Sequence, residues 1–149
     1  MFELSARTQD YIERTKAFIK NEIEPVEAAF WNEVHHLNQG GDWTKWQWPA
    51  QLELLKDKAK TAGLWNMFLP DAELGQGLSV QEYAHIAELS GRSLIAPIIF
   101  NCNAPDSGNM EVLWRYGTEA QKEQWLNPLL DGKIRSVFCM TEPDVASSD

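Results

Sequence analysis

Apolar residues recur at three- and four-residue steps through Leu4, Tyr11, Ile12, Thr15, Phe18, Ile19 and Ile23, a spacing that predicts a helix with one buried face. A second helix is expected from Pro25, with Val26, Ala29, Phe30 and Leu37 near one side, until the glycine pair at 40 and 41 breaks the pattern. Pro49 opens a third, and Gly63 stands where a helix end calls for a residue free to take positive φ. Ser79 and Glu82 form a capping-box pattern for a fourth, ending at Gly91, whose buried face should hold Tyr83, Ala84 and Ala87 together with Ile86 and Leu89. A fifth runs from Pro105 to Gly117. Thr118 with Gln121 caps a sixth, which stops before Pro128. Beyond the Asp131-Gly132 turn the stripe disappears, and the compact apolar run from Ile134 to Met140 predicts a short strand. The fold class is therefore all-α: a bundle of about six helices with a short C-terminal β-strand and loop.

Composition narrows the choice. The 149 residues, 44% hydrophobic and 23% charged, suit one soluble domain with a packed core. The formal charge of −9 is dispersed in short alternations, which argues against a nucleic-acid partner, since phosphate binding needs clustered Lys and Arg. Cys102 and Cys139 have no metal or redox spacing, so each reads as a buried free thiol in a reducing cytoplasm. The first residues carry acids among bases and no apolar stretch of a secretion signal. The longest apolar run, Leu94 to Phe100, falls far short of the ~20 residues that span a bilayer, so no membrane span is expected.

Most candidate chemistry dissolves on inspection. Leu74-Gly75-Gln76-Gly77 lacks the preceding strand and following lysine of a phosphate cradle. His35 and His36 are adjacent on a helix and point apart, so they read as a solvated pair, and His85 reads as a partly buried histidine without an acid partner. Trp43, Trp46 and Trp48 suit aromatic packing over a bundle end. The terminal loop differs: Thr141 offers a hydroxyl after the strand, Pro143 stiffens the turn, and the small residues at 146–148 allow a ligand close to the backbone. That is the character of a cofactor loop. Glu142, Asp144 and Asp149 lack calcium-loop spacing, so no metal is expected.

The stretch YGTEAQKEQWLNPLLDGKIRSVFCMTEPDVASSD, from Tyr116 to Asp149, resembles the signature region of the flavin-dependent acyl-CoA dehydrogenase family, where a helix, a turn and a strand deliver a Thr-Glu-Pro loop. LGQGLSVQEYAHIAELSGRS, from Leu74 to Ser93, resembles an earlier helix of that family. The resemblance implies an N-terminal helical domain over 1–133 and the start of a middle β-domain over 134–149, in a truncated chain. It also implies FAD as cofactor and oxidation of an acyl-CoA to a trans-2-enoyl-CoA, with the α-proton passing to a glutamate and the β-hydride to flavin N5. Backbone groups at Phe138 and Met140 and the Thr141 hydroxyl would meet the flavin's pyrimidine side and N5 region, and Ser148 would sit near the acyl-CoA. The family's Thr-Glu-Pro-Gly-Ala-Gly-Ser-Asp is one residue longer here and has no glycine, so Ser147 and Ser148 both fit the family serine. No catalytic residue is assigned, and Glu82 and Glu111 are not the missing base. An electron-transfer flavoprotein or similar acceptor and a homo-oligomer of the full-length protein are implied partners. Two other readings stand beside this one: a sister flavoenzyme, such as an acyl-CoA oxidase or flavin monooxygenase relative, and a stand-alone helical interaction module.

Overall fold

A computed structural model describes residues 4–146. The backbone separates into two compact units, one running to Cys102 and the other from Asn103.

The first unit begins with α1 (Ala6–Phe18), capped by the Ser5 hydroxyl, which accepts the Thr8 amide at 3.1 Å. The two helices expected at the N-terminus are joined without a break. A π-helical turn (Ile19–Ile23) connects α1 to α2 (Glu24–Leu37). Pro25 is the reason. It has no N–H, and its ring would press on the carbonyl four residues back; the wider turn, in which the Glu24 amide reaches the Ile19 carbonyl, relieves that conflict. The same device recurs in the second unit, where the Asn127 amide reaches the Lys122 carbonyl just before Pro128.

After a single 3₁₀ turn at Trp43–Lys45, α3 (Gln51–Thr61) buries Leu52, Leu55 and Ala59. It ends as expected, with Gly63 at φ +66° and the Leu64 and Gly63 amides closing on Ala59 and Lys60. The helices α4 (Val80–Ser90) and α5 (Ala96–Ile99) complete the core, with α4 packed on α1 and α5 on α3. Ile86, Ile95, Ile99 and Phe100 are fully buried there. On α4 the buried side is centred on Ile86, Leu89 and Ser90, with Tyr83 and Ala87 at its edges; Ala84, expected inside, is exposed. It lies two residues from Ile86, about 200° around the helix.

Two asparagines, neither evident as structural from sequence, tie the loops together. Asn66 and Asn101 are buried and both stand at φ +54°, a conformation asparagine tolerates better than most residues. The Asn101 amide donates to Asn66 Oδ1 at 2.7 Å, and the Asn66 backbone N–H to the Phe100 carbonyl at 3.1 Å. Gly75 packs so closely on Leu69 and Asn66 that a Cβ there would collide with the Leu69 carbonyl. The Leu74–Gly77 loop is thus structural, and Gln76 holds it by accepting from the Tyr11 hydroxyl and donating to the Trp65 carbonyl.

The predicted capping box at Ser79 and Glu82 forms and does more than cap. Glu82 Oε2 accepts the Ser79 N–H at 2.8 Å and Oε1 accepts the buried Thr8 hydroxyl at 2.8 Å, joining the starts of α1 and α4. Those donors, the Ser79 N–H foremost, hold the Glu82 carboxyl down to about 2 from its ordinary 4.5. Its contribution to stability is complete above pH 4.5 and fades as pH falls toward 2. Glu82→Gln should therefore melt about 2–4 °C lower at pH 6, a loss on the order of 1 kcal/mol. The difference should shrink steadily on acidification; a pH-independent difference in thermal melts would refute the linkage.

Among the described residues, no strand forms. Ile134–Met140, expected as a strand, has no second strand to pair with, and a ladder needs two; the one β-bridge is isolated, Glu142 to Val145. No described helix is long and apolar enough to cross a membrane.

Cys102 is a free thiol and half-buried rather than fully enclosed; the burial of its sulfur pushes it up to about 11, away from reactivity. Cys139, expected to be buried, is exposed among the described residues. Of the tryptophans, Trp48 stacks on Phe30 with centroids 6.0 Å apart, while Trp43 and Trp46 remain 74% and 62% exposed. His35 and His36 are exposed and His85 half-buried.

Candidate functional site

The second unit is built from α6 (Asp106–Tyr116), α7 (Glu119–Gln121), the π turn Lys122–Leu126 and α8 (Asn127–Leu130). Gly117 ends α6, where a Cβ would strike the Leu113 carbonyl. The Thr118 and Gln121 capping box is present in both directions. At the other end Gly132, at φ +72°, lets its own amide reach the Leu129 carbonyl and that of Lys133 reach Pro128. This paired closure stops the helix and turns the chain sharply out.

The released segment is caught by α6. Asp106, 1% exposed, accepts the Ser136 backbone N–H at 2.7 Å and its hydroxyl at 2.6 Å through Oδ1, while Arg135 Nε pairs with Oδ2. One turn along, Asn109 donates to the Ser136 hydroxyl at 2.8 Å and to the Val137 carbonyl at 3.2 Å. Between the segment and the helices lies a cavity of about 340 Å³, walled by Val112, Leu113, Trp125, Leu129 and Ile134 with Asn109 at its polar edge.

Past this clasp the chain carries the residues that sequence singled out. Phe138 is 64% and Met140 57% exposed, and the Thr141 side chain is exposed beside them. No ladder engages their backbone among the described residues. Ser147 and Ser148, the alternatives for the family serine, lie outside the described residues. Exposed apolar side chains beside a hydroxyl have the chemistry to lie against one side of a flat, polar-edged ring. No cluster of metal-binding groups occurs among the described residues. The clasp itself was invisible in the sequence, because its partners are thirty residues apart and Asp106 resembles any acid in a first helical turn.

Comparison with known proteins agrees with this architecture. The family model described as acyl-CoA dehydrogenase, N-terminal domain, matches residues 5–133. Acyl-CoA dehydrogenase family member 11 of Rattus norvegicus is 50% identical over 149 residues, and a probable acyl-CoA dehydrogenase of Mycobacterium tuberculosis is likewise 50% identical. A solved structure from Mycobacterium abscessus bearing the acyl-CoA dehydrogenase name superposes with a TM-score of 0.90 at 58% identity, covering 99% of this chain. The chain spans 18% of the rat protein, 35% of the tuberculosis protein and 37% of the abscessus chain. With most of its length under that family model and relatives that share half its residues, this chain belongs to the acyl-CoA dehydrogenase family and carries its N-terminal helical domain.

Proposed function

We propose that the chain is the helical part of a flavin-dependent enzyme that oxidises an acyl-CoA to a trans-2-enoyl-CoA, and that it supplies one wall of the flavin and substrate pocket. Residues 134–149 open the following β-domain in this reading. The observation that carries it is the clasped segment ending in exposed Phe138, Met140 and Thr141. FAD, when bound, supplies the two-electron oxidation. The backbone of Phe138 and Met140 would hold its pyrimidine side, and the Thr141 hydroxyl would donate to the N5 region. Ser148 would approach the acyl-CoA. The α-proton is removed by a carboxylate that we do not assign within these residues: Asp106 is occupied by Arg135 and Ser136, and Glu82 by Ser79 and Thr8. Electrons would leave to an electron-transfer flavoprotein or similar acceptor, from a homo-oligomeric whole protein.

Thr141→Val tests the assignment, since it keeps the shape and removes the hydroxyl. In the whole protein, flavin reduction by acyl-CoA should slow about tenfold, the worth of one directed hydrogen bond, with unchanged melting temperature. Parental flavin content together with a parental reduction rate would return Thr141 to the role of a plain turn residue.

A further inference from the structure

We propose that Asp106 is a positioning residue for the flavin-facing loop: from the start of α6 its buried carboxylate sets the placement of Arg135–Val137, and through them of Phe138–Thr141. The inference rests on the flavin reading of those loop residues given above. A carboxylate in a first helical turn ordinarily faces the amides of its own helix. Asp106 faces away instead, with Oδ1 taking both the N–H and the hydroxyl of Ser136 and Oδ2 meeting Arg135 Nε. Hydrogen bonds to an ionised acceptor are the strong, short kind, and this one is almost wholly withdrawn from water, at 1% exposure. Asn109 adds the Val137 carbonyl, so three consecutive residues are held by two side chains one turn apart.

Support then stops. Phe138, Met140 and Thr141 are exposed and belong to no strand, so among the described residues their placement is inherited from the clasp behind them. Thr141 lies five residues beyond Ser136, close enough for a shift at the anchor to displace its hydroxyl. A displacement of ~1 Å at a reacting centre costs about 10²-fold in rate, so a clasp of this kind governs chemistry without touching it.

The test uses Asp106→Asn in the whole protein. Asparagine keeps the size and one acceptor for the Ser136 N–H but abolishes the ion pair with Arg135. Amide hydrogen exchange should quicken about tenfold or more at Ser136, whose N–H the carboxylate holds, and stay unchanged in α3. Per bound flavin, kcat for reduction should fall about tenfold or more with KM within about twofold, and the flavin absorption band should shift. Ser136→Ala, a milder change that leaves the carboxylate paired with Arg135, should move each readout in the same direction if Asp106→Asn fails to fold. Unchanged exchange at Ser136 overturns the positioning role. A parental rate and spectrum per bound flavin, with only a lower melting temperature, reduces Asp106 to a stabilising residue and also overturns it. A parent protein that takes up no flavin overturns the functional reading, and the role of Asp106 with it, whatever the exchange shows.

Discussion

The 149-residue chain, purified and supplied with FAD and a panel of acyl-CoA thioesters, should show no turnover. A cofactor site encloses about 70–90% of its ligand, whereas Phe138 and Met140 here stand 64% and 57% exposed on one side only. The reaction also needs a carboxylate within hydrogen-bond reach of the α-proton, and the buried acid beside this loop, Asp106, already has both oxygens engaged. Exposed Val112, Tyr116 and Val137 add an apolar surface on the second unit that favours self-association of the isolated chain. Flavin bleaching in the presence of an electron acceptor is the measurement. Stoichiometric flavin uptake with bleaching on acyl-CoA addition would show that these residues form a complete site.

Phe100→Ala should destabilise the first unit by about 3–5 kcal/mol, a large share of the ~5–15 kcal/mol available to a domain. The ring is fully buried and lies 5.4 Å from that of Phe18, tilted by 59°. Its removal takes away apolar burial and the aromatic contact, and leaves a hole beside Ile95 and Ile99, which are themselves fully enclosed. The backbone carbonyl of Phe100 also receives the Asn66 N–H, so relaxation into the hole would strain the buried asparagine pair. Urea denaturation followed by circular dichroism gives the value. A cost below about 1 kcal/mol would mean that the site closes freely, contrary to its packing.

Much of this was readable from local chemistry. Ser79 with Glu82, Thr118 with Gln121, and Gly63 each act within one or two turns of chain, and each does what its residue type dictates. The residues near the flavin loop were legible for a different reason, through likeness to a family rather than through periodicity. What escaped was long-range. The Asn66 and Asn101 pair and the Asp106 clasp join positions about thirty residues apart, and neither partner signals the other along the chain. The strand at Ile134–Met140 failed for a related reason: an apolar run states a preference for extended structure, but pairing depends on a second strand that the described residues do not contain. Cys139 follows from the same cause, since a thiol is buried only if something packs over it.

The π-helical turn at Ile19–Ile23 has a consequence for the phase of the helix it interrupts. At about 100° per residue, the twelve steps from Phe18 to Phe30 would carry a regular α-helix about 120° off the starting side. One residue absorbed by the wider turn reduces the effective count to eleven, and the misalignment to about 20°. Both phenylalanines are buried, at 8% and 2% exposure, as that alignment requires. The apolar stripe is therefore continuous in space where it is broken in sequence. The extra residue that accommodates Pro25 also keeps one side of the continuous helix from Ala6 to Leu37 turned toward the core.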